Sequence, residues 1–289
     1  MPELPEVETV RIGLSQFIPG KKVAQVDFDW PKGFPNAEAD VTQFMVGATI
    51  TGVRRRAKVL LVDLDTQYTL VIHLKMTGQM VYRDSKQQFG AGHPNGSLVG
   101  TLPDRSTRVT WTFTDGSHLF FNDQRKFGWV RLIPTAEVEQ LDFFQKVGPE
   151  PLAADFTSKR FAERLQRRAK SGIKAVLLDQ TVIAGVGNIY ADESLWGAQI
   201  HPETKVADIP SQKMNILFKA LRAVLQLSIE KGGSTDRNYV NAEGKRGSYL
   251  TFANVFRREG KPCPRCGTTI IKTRVAGRGT HLCPHCQKV

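Results

Sequence analysis

The chain opens MPELPEVETV, and Pro2, Glu3 and Glu6 are the residues there whose types could do chemistry. With Met1 removed, Pro2 presents a secondary amine, and an amine of that kind attacks a sugar or carbonyl carbon to form a Schiff base. The iminium on proline has no N–H proton to lose, so it stays cationic and acts as an electron sink. A terminal amine titrates near ~8, against ~10.4 for a lysine, so more of it is free base at neutral pH. Glu3 and Glu6 set two carboxylates beside it for proton transfer. The same stretch also reads as an ordinary helix start, with Pro5 in the first turn, Glu6 against the positive end of the dipole, and Val7, Val10, Leu14, Phe17 and Ile18 at core spacing. The two readings are compatible, because a helix start would hold Pro2 and Glu3 rigidly.

The strongest spacing signal lies at the other end. All four cysteines form the pattern Cys263-x2-Cys266-x16-Cys283-x2-Cys286. Paired knuckles at this separation match a structural four-thiolate zinc site, with no coordination position left for catalysis. A tail of this size has too little core to fold unaided, so one Zn2+ is expected to fold it. A redox dithiol or free thiols are the competing readings. His281 and His285 lie among the cysteines, either as substitute ligands or as surface residues. Arg274 and Arg278, on the connection between the knuckles, are placed to meet phosphate.

Four further stretches carry weaker signals. In AGVGNIYADE (184–193), glycines before a helix start let backbone N–H groups approach a phosphate, with Asn188 as an added donor; a turn between packed helices is the alternative. In Arg54-Arg55-Arg56-Ala57-Lys58, a basic run leads into a strand, and Lys58 either meets a phosphate or reacting oxygen or is part of a solvated face. HLKMTG (73–78) and DQRKFG (123–128) place a Met, an Arg and a Phe on loop tips, the kind of wedge that enters a distorted duplex, or else ordinary loop and core residues.

The elements that must position these residues follow from pattern. At 289 residues the chain is long enough for two domains with real cores. It has no apolar run of the ~20 residues a membrane span needs and no signal peptide, so an intracellular, soluble protein is expected. The net charge of +12 and the pI of about 9.7 point to a polyanion such as nucleic acid. Residues 22–30, 59–64, 70–74 and 129–132 read as strands, and 108–121 as a hairpin turning at Asp115-Gly116. The first ~133 residues are thus expected to form two packed sheets behind one helix, with a long loop over 85–106. Residues 134–152 read as a linker. Helices follow at about 155–170, 173–180, 189–197 and 211–231, the last stopped by Gly232-Gly233. Residues 233–249 read as a polar loop, either functional or disordered, and the tail from 250 as short strands and turns around the cysteines.

Together the motifs PELPEVET, RRxxK, HLxMxG, DxRKFG, GPEPL, AGVGNIYADE, GGST and the paired CxxC knuckles resemble, in order and over nearly the whole chain, the bacterial formamidopyrimidine-DNA (8-oxoguanine-DNA) glycosylases. The ELPEVE start favours this branch over endonuclease VIII, in the same superfamily. The resemblance implies an α+β multi-domain fold: an N-terminal β-sandwich with a leading helix (1–133), a linker (134–152), a helix–two-turn–helix domain (153–249) with a base-capping loop at 233–249, and a C-terminal zinc-finger β-ribbon (250–289). It implies a bifunctional glycosylase and AP lyase that flips and excises oxidised purines and then nicks the strand by β,δ-elimination. Pro2 would be the nucleophile, Glu3 the general acid/base, Glu6 its support, Lys58 the lysine of β-elimination and phosphate contact, and Arg278 the arginine of δ-elimination and phosphate binding. Arg125, Lys170, Asn188 and His73 would contact DNA, and Met76, Arg125 and Phe127 would fill the gap left by the flipped base. The partner implied is double-stranded DNA with oxidised bases or abasic sites, met by a monomer in the bacterial cytoplasm, at the nucleoid.

The chain departs from the family pattern in two places. Many members carry Lys-His-x-His where Arg105-Ser106-Thr107-Arg108 stands, so the contact of the first His is not carried over and Arg108 is the candidate for a backbone contact there. Lys75 stands where members usually carry a small residue or Arg, and position 77, here Thr77, varies in the family; both positions would lie next to the lesion. The rival readings are an endonuclease VIII-like enzyme for oxidised pyrimidines, a non-catalytic damaged-DNA-binding protein, and a zinc-dependent nuclease, which the four-cysteine site disfavours.

Overall fold

The structure is a computed structural model that describes residues 2–93, 95–234 and 249–288. It divides into two compact units, Met1–Gln145 with Lys231–Ser248, and Lys146–Glu230 with Tyr249–Val289.

The first unit begins with α1 (Leu4–Phe17), started by the Glu6 side chain, which accepts the Glu3 N–H at 2.8 Å. Its apolar stripe, Val7, Val10, Leu14 and then Ile18, is fully buried. The elements β1 (Val23–Phe28), α2 (Glu38–Phe44), β2 (Ile50–Arg56), β3 (Val59–Leu64), β4 (Tyr68–His73), β5 (Gly78–Arg83), β6 (Gln88–Gly92), β7 (Thr107–Phe113), β8 (His118–Asp123) and β9 (Trp129–Pro134) follow. They make a five-stranded sheet in the order β1-β7-β8-β5-β6 and a four-stranded sheet in the order β2-β3-β4-β9, every pairing antiparallel. One core joins both sheets and α1, so the expected two-sheet architecture is the one found. The hairpin turn falls where expected: Gly116 sits at φ +81 and the Asp115 carboxylate accepts the Ser117 N–H at 3.0 Å.

Three stretches differ from the sequence reading. Residues 85–106 are not one loop, since 88–92 pair with β5 as an edge strand. The run Arg54-Arg55-Arg56 lies within β2 rather than ahead of a strand, and Ala57-Lys58 is the two-residue turn to β3. Residues 134–152, read as a linker, hold a 3-10 turn at Thr135–Gln140 and α3 (Asp142–Lys146).

The second unit carries α4 (Ser158–Gln166), α5 (Ile173–Leu178), α6 (Asn188–Ala198) and α7 (Ser211–Glu230), then the ribbon β10 (Ile271–Val275) and β11 (Arg278–Leu282). Met214, Leu217, Leu221 and Leu225 put one stripe of α7 into the helical core. Ribbon strands join through Ala276 and Gly277, both at positive φ (+49 and +75), the demand of a tight hairpin turn. The segment after α7, expected with the helical domain, groups with the first unit: the Ser234 N–H donates to Glu6 Oε1 at 2.7 Å. The expected base-capping loop lies, for residues 235–248, outside the described residues. Among the described residues no helix is long and apolar enough to cross a membrane.

Candidate active site and nucleic-acid interface

Pro2 and Glu3 are buried at the head of α1. Glu6 carries both of its carboxylate oxygens to backbone N–H groups, Glu3 on one side and Ser234 on the other, so its position is set by the chain start and by the segment after α7. Helix α1 packs on β2 and β3. Arg55 ties the three together: its Nε donates to Glu8 Oε2 and its Nη1 to the Ala57 carbonyl, each at 2.8 Å. Burial alone would raise the Glu8 carboxyl, but hydrogen bonds and charge from Arg11 and Arg55 outweigh it and hold Glu8 below its ordinary range. The clamp fixes the turn that bears Lys58, with Ala57 in the left-handed region at φ +53. Lys58 is only 6% exposed. A lysine on a solvated face does not look like this.

His73 faces the same corner, its residue paired with Val59 across β3–β4. Burial first, then the charges of Lys75 and Lys58, lowers its pKa from 6.5 to about 3. The ring is therefore neutral, and its Nδ1 accepts the Lys75 N–H at 3.0 Å, a loop-holding bond. As a neutral, 7% exposed ring it offers no positive charge to phosphate.

The two wedge loops are held by one buried carboxylate. Asp123 Oδ1 accepts the Thr77 hydroxyl and, at 3.2 Å, the Arg125 N–H; Oδ2 accepts the Gly128 N–H at 2.7 Å. Gly78 closes the first loop, where a Cβ would lie 2.4 Å from the Leu74 carbonyl oxygen. Lys75 and Lys126 sit at positive φ (+49 and +56), a local strain of roughly 1–2 kcal/mol per residue, of the kind that gathers at functional loops. On these braced tips Met76 is 38% and Phe127 54% exposed, and the Arg125 guanidinium lies 4.7 Å from the Phe127 ring centroid. Large apolar side chains left in solvent on rigid tips are poised to enter an apolar space.

In the second unit the turn before α6 is built by Gln180, whose side chain accepts the Gly185 N–H (2.9 Å) and donates to the Val186 carbonyl (2.7 Å). This holds the buried turn Ala184–Gly187 at the start of α6, with Asn188 as the first residue of the helix. Lys170 stands exposed on the turn between α4 and α5. Arg278, exposed, opens β11, and the next carbonyl, Gly279, receives both Asn188 Nδ2 (2.9 Å) and Lys174 Nζ (3.2 Å).

Lys174 was missed by sequence reasoning, as were the roles of Asp192 and Glu193, all fully buried. Lys174 Nζ meets Asp192 Oδ1 and the Thr280 hydroxyl, each at 2.6 Å, while Asp192 Oδ2 accepts the His281 N–H at 2.9 Å. Glu193 accepts backbone N–H groups from Asn254, Val255 and Phe256 at 2.8–3.1 Å. The ADE of the glycine-rich motif thus docks the tail. The signal available was two adjacent acids in an otherwise apolar helix segment.

The four cysteine sulfurs lie within 4.8 Å of one another, with Cys266 Sγ 3.5 Å from Cys283 Sγ and 3.4 Å from Cys286 Sγ. A tetrahedron of ~2.3 Å zinc–sulfur bonds separates sulfurs by roughly 3.8 Å, so the group fits one zinc ion with little adjustment. Trp196 Nε1 donates to Cys263 Sγ at 3.4 Å, a support for a thiolate ligand. Neither His281 nor His285 joins the set; His281 is taken up by Asp192.

Comparison with known proteins covers both units. A model of the formamidopyrimidine-DNA glycosylase N-terminal domain matches residues 1–130, one of the formamidopyrimidine-DNA glycosylase H2TH domain matches 147–239, and a zinc finger found in FPG and IleRS matches 260–289. A formamidopyrimidine-DNA glycosylase of Pelotomaculum thermopropionicum is 41% identical over 290 residues, with 100% of each chain covered. Among solved structures, a Lactococcus lactis FPG mutant in complex with a Fapy-dG containing DNA superposes with a TM-score of 0.87 at 35% identity, again over 100% of each chain. MutM in complex with carbocyclic 8-oxo-G containing DNA gives 0.85 at 35% identity over the same coverage.

Proposed function

The chain belongs to the formamidopyrimidine-DNA glycosylase family, and we propose that within this family Pro2 is its nucleophile, Glu3 its general acid/base, and Lys58 and Arg278 its elimination and phosphate residues. The protein is a DNA repair glycosylase for oxidised purines, acting on duplex DNA with lesions or abasic sites and carrying one structural zinc on Cys263, Cys266, Cys283 and Cys286.

A base stacked in a duplex is out of reach, so it must be flipped, at a cost of a few kcal/mol. Met76, Arg125 and Phe127 offset part of that cost by filling the void. Once Met1 is gone, the Pro2 nitrogen attacks C1′, the bond to the damaged base breaks, and the base leaves with a proton. Glu3 protonates the ring oxygen as the sugar opens, giving a C1′ iminium. The iminium acidifies the C2′ proton; its loss expels the 3′ phosphate, and a second elimination expels the 5′ phosphate. Water then releases Pro2. Lys58 serves the first elimination beside its neutral neighbour His73, and Arg278 the second. Zinc supplies no step; it folds the ribbon that presents Arg278. Lys170, Asn188 and Arg108 contact the DNA backbone. The expected setting is the bacterial cytoplasm, at the nucleoid.

The observation that carries this reading is the wedge: exposed Met76 and Phe127 on two loops braced by one buried Asp123 have no use in a sandwich that merely folds. The test is borohydride trapping on duplex DNA holding one 8-oxoguanine opposite cytosine. A covalent adduct mapped to Pro2 is expected, and Pro2→Ala should give none while keeping much of the affinity. Base excision by that variant at the wild-type rate refutes the assignment of the nucleophile. A preference for oxidised pyrimidines in the same assay would move the chain to the endonuclease VIII branch.

A further inference from the structure

We infer that Arg105, Arg108 and Gln124 form a pocket for one backbone phosphate of bound DNA, a contact separate from the wedge and from the second unit; this rests on the DNA-repair reading above. The residues line a cavity of about 280 Å3 together with Ser106, and no carboxylate contributes to its wall. Its lining offers guanidinium, amide and hydroxyl groups and no apolar side chain for a base to stack on, so a phosphodiester suits it better than a nucleotide.

The arginines differ in how they are held. Arg108 is locked: its Nε donates to the Asp123 carbonyl (2.9 Å), its Nη2 to the Arg105 carbonyl (2.9 Å) and its Nη1 to the Thr107 carbonyl (3.4 Å). All three acceptors are neutral, so the guanidinium is oriented without being neutralised, and two of its five N–H groups remain for a ligand. Arg105 is exposed. Neither arginine makes an ion pair among the described residues.

Asp104 and Ser106, the polar neighbours, are turned elsewhere. The Asp104 carboxylate accepts the Ser97 hydroxyl (2.6 Å), the Ser106 N–H (2.7 Å) and the Ser106 hydroxyl (2.6 Å), and Ser106 is 2% exposed. Two positive charges therefore share one small cavity, an arrangement that an anion relieves. Planar guanidinium forks suit phosphate oxygens, and the Gln124 amide adds a neutral donor. The location favours DNA over a free anion. Gln124 lies between Asp123, which braces the wedge loops, and Arg125, which stacks on Phe127, so a strand entered by the wedge passes its backbone over this wall.

The test is the salt dependence of binding to an abasic-site duplex, measured on the zinc-loaded full chain. Arg105→Ala removes an exposed side chain, so its melting temperature should equal the wild type's. Its slope of log K against log salt should be shallower by up to about 0.9, the share of one phosphate. At the full 0.9, the wild-type advantage shrinks about 3.5-fold between 50 and 200 mM salt. The Arg105→Ala/Arg108→Ala double variant should change the slope by about 0.9 in total, because both side chains serve one phosphate. Gln124→Ala should weaken binding without altering the slope.

An Arg105→Ala protein with wild-type affinity and slope overturns the pocket, and the decision rests on this variant because Arg108 also holds the backbone. A double variant that loses about 1.8 also overturns it, since that means two phosphates. Inorganic phosphate and a nucleoside monophosphate, titrated against the free protein, separate the sources. Arg105-dependent binding of either as tight as that of the duplex would make this an anion site unrelated to DNA. Absence of duplex binding by the wild type would instead defeat the family-based reading.

Discussion

Lys174→Met is the substitution whose cost the structure defines best. Both partners of the Lys174–Asp192 pair are fully buried, with Nζ and Oδ1 2.6 Å apart. Removing the ammonium leaves the buried Asp192 carboxylate with only the His281 N–H and ring beside it, and breaking a buried pair in this way costs about 3–5 kcal/mol. The secondary losses are small: the Gly279 carbonyl keeps Asn188, and the Thr280 hydroxyl still donates to the Arg278 carbonyl at 3.0 Å. Against a total stability of about 5–15 kcal/mol, this is a large fraction. At roughly 2–4 °C per kcal/mol it lowers the melting temperature by roughly 6–20 °C. The double variant Lys174→Met/Asp192→Asn should recover most of the loss. Its amide oxygen can still accept the His281 N–H, now at 2.9 Å from Asp192, and neither side chain of the former pair carries a charge. The assay is denaturant unfolding of the zinc-loaded protein, followed by indole emission and by zinc release to a chromogenic chelator. Trp196, bonded to Cys263, makes emission sensitive to the finger. A loss below about 1 kcal/mol in Lys174→Met, or no recovery in the double variant, refutes the assignment of an uncompensated charge as the cause.

Other outcomes follow from the same contacts. Met76→Ala and Phe127→Ala remove exposed side chains and should leave the melting temperature unchanged, but lost stacking worth ~1–3 kcal/mol slows base excision from duplex roughly 5- to 150-fold; wild-type rates in both would remove the wedge. His73, held down to about 3 in the folded state, contributes its full stability above pH 6.5, where folded and unfolded chains are both neutral. As pH falls from 6.5 towards 3, only the unfolded chain takes the proton, and stability drops by up to ~1.4 kcal/mol per pH unit, or about 2 kcal/mol by pH 5. The His73→Gln protein should lack that part of the acid sensitivity; parallel stability–pH curves for the two proteins would contradict it. Cys266→Ser should lose zinc and weaken DNA binding through an unordered ribbon, and unchanged zinc content with unchanged affinity would refute the structural role of the metal.

The sequence alone determined what local pattern encodes. The stripe of α1, the turn at Asp115-Gly116, the span of α7 and the four thiolates all depend on spacing within one segment, and each stands where its spacing put it. The ordered motifs identified the family for the same reason. Tertiary structure decided what depends on partners far along the chain. The acids of the glycine-rich motif dock the tail only because Lys174, His281 and residues 254–256 reach them. The turn that bears the buried Lys58 is tied to α1 because Arg55 finds both Ala57 and Glu8, the latter 47 residues away. Residues 88–92 read as loop because Gly and Gln carry no strand signal, yet an edge strand needs only free backbone partners on β5. The charge state of His73 likewise could not be read from its neighbours in sequence, because burial and the charges of Lys75 and Lys58 are what keep the ring neutral. Spacing along a chain records which face a residue shares with its neighbours; the charge a buried group keeps is set by what the fold brings against it.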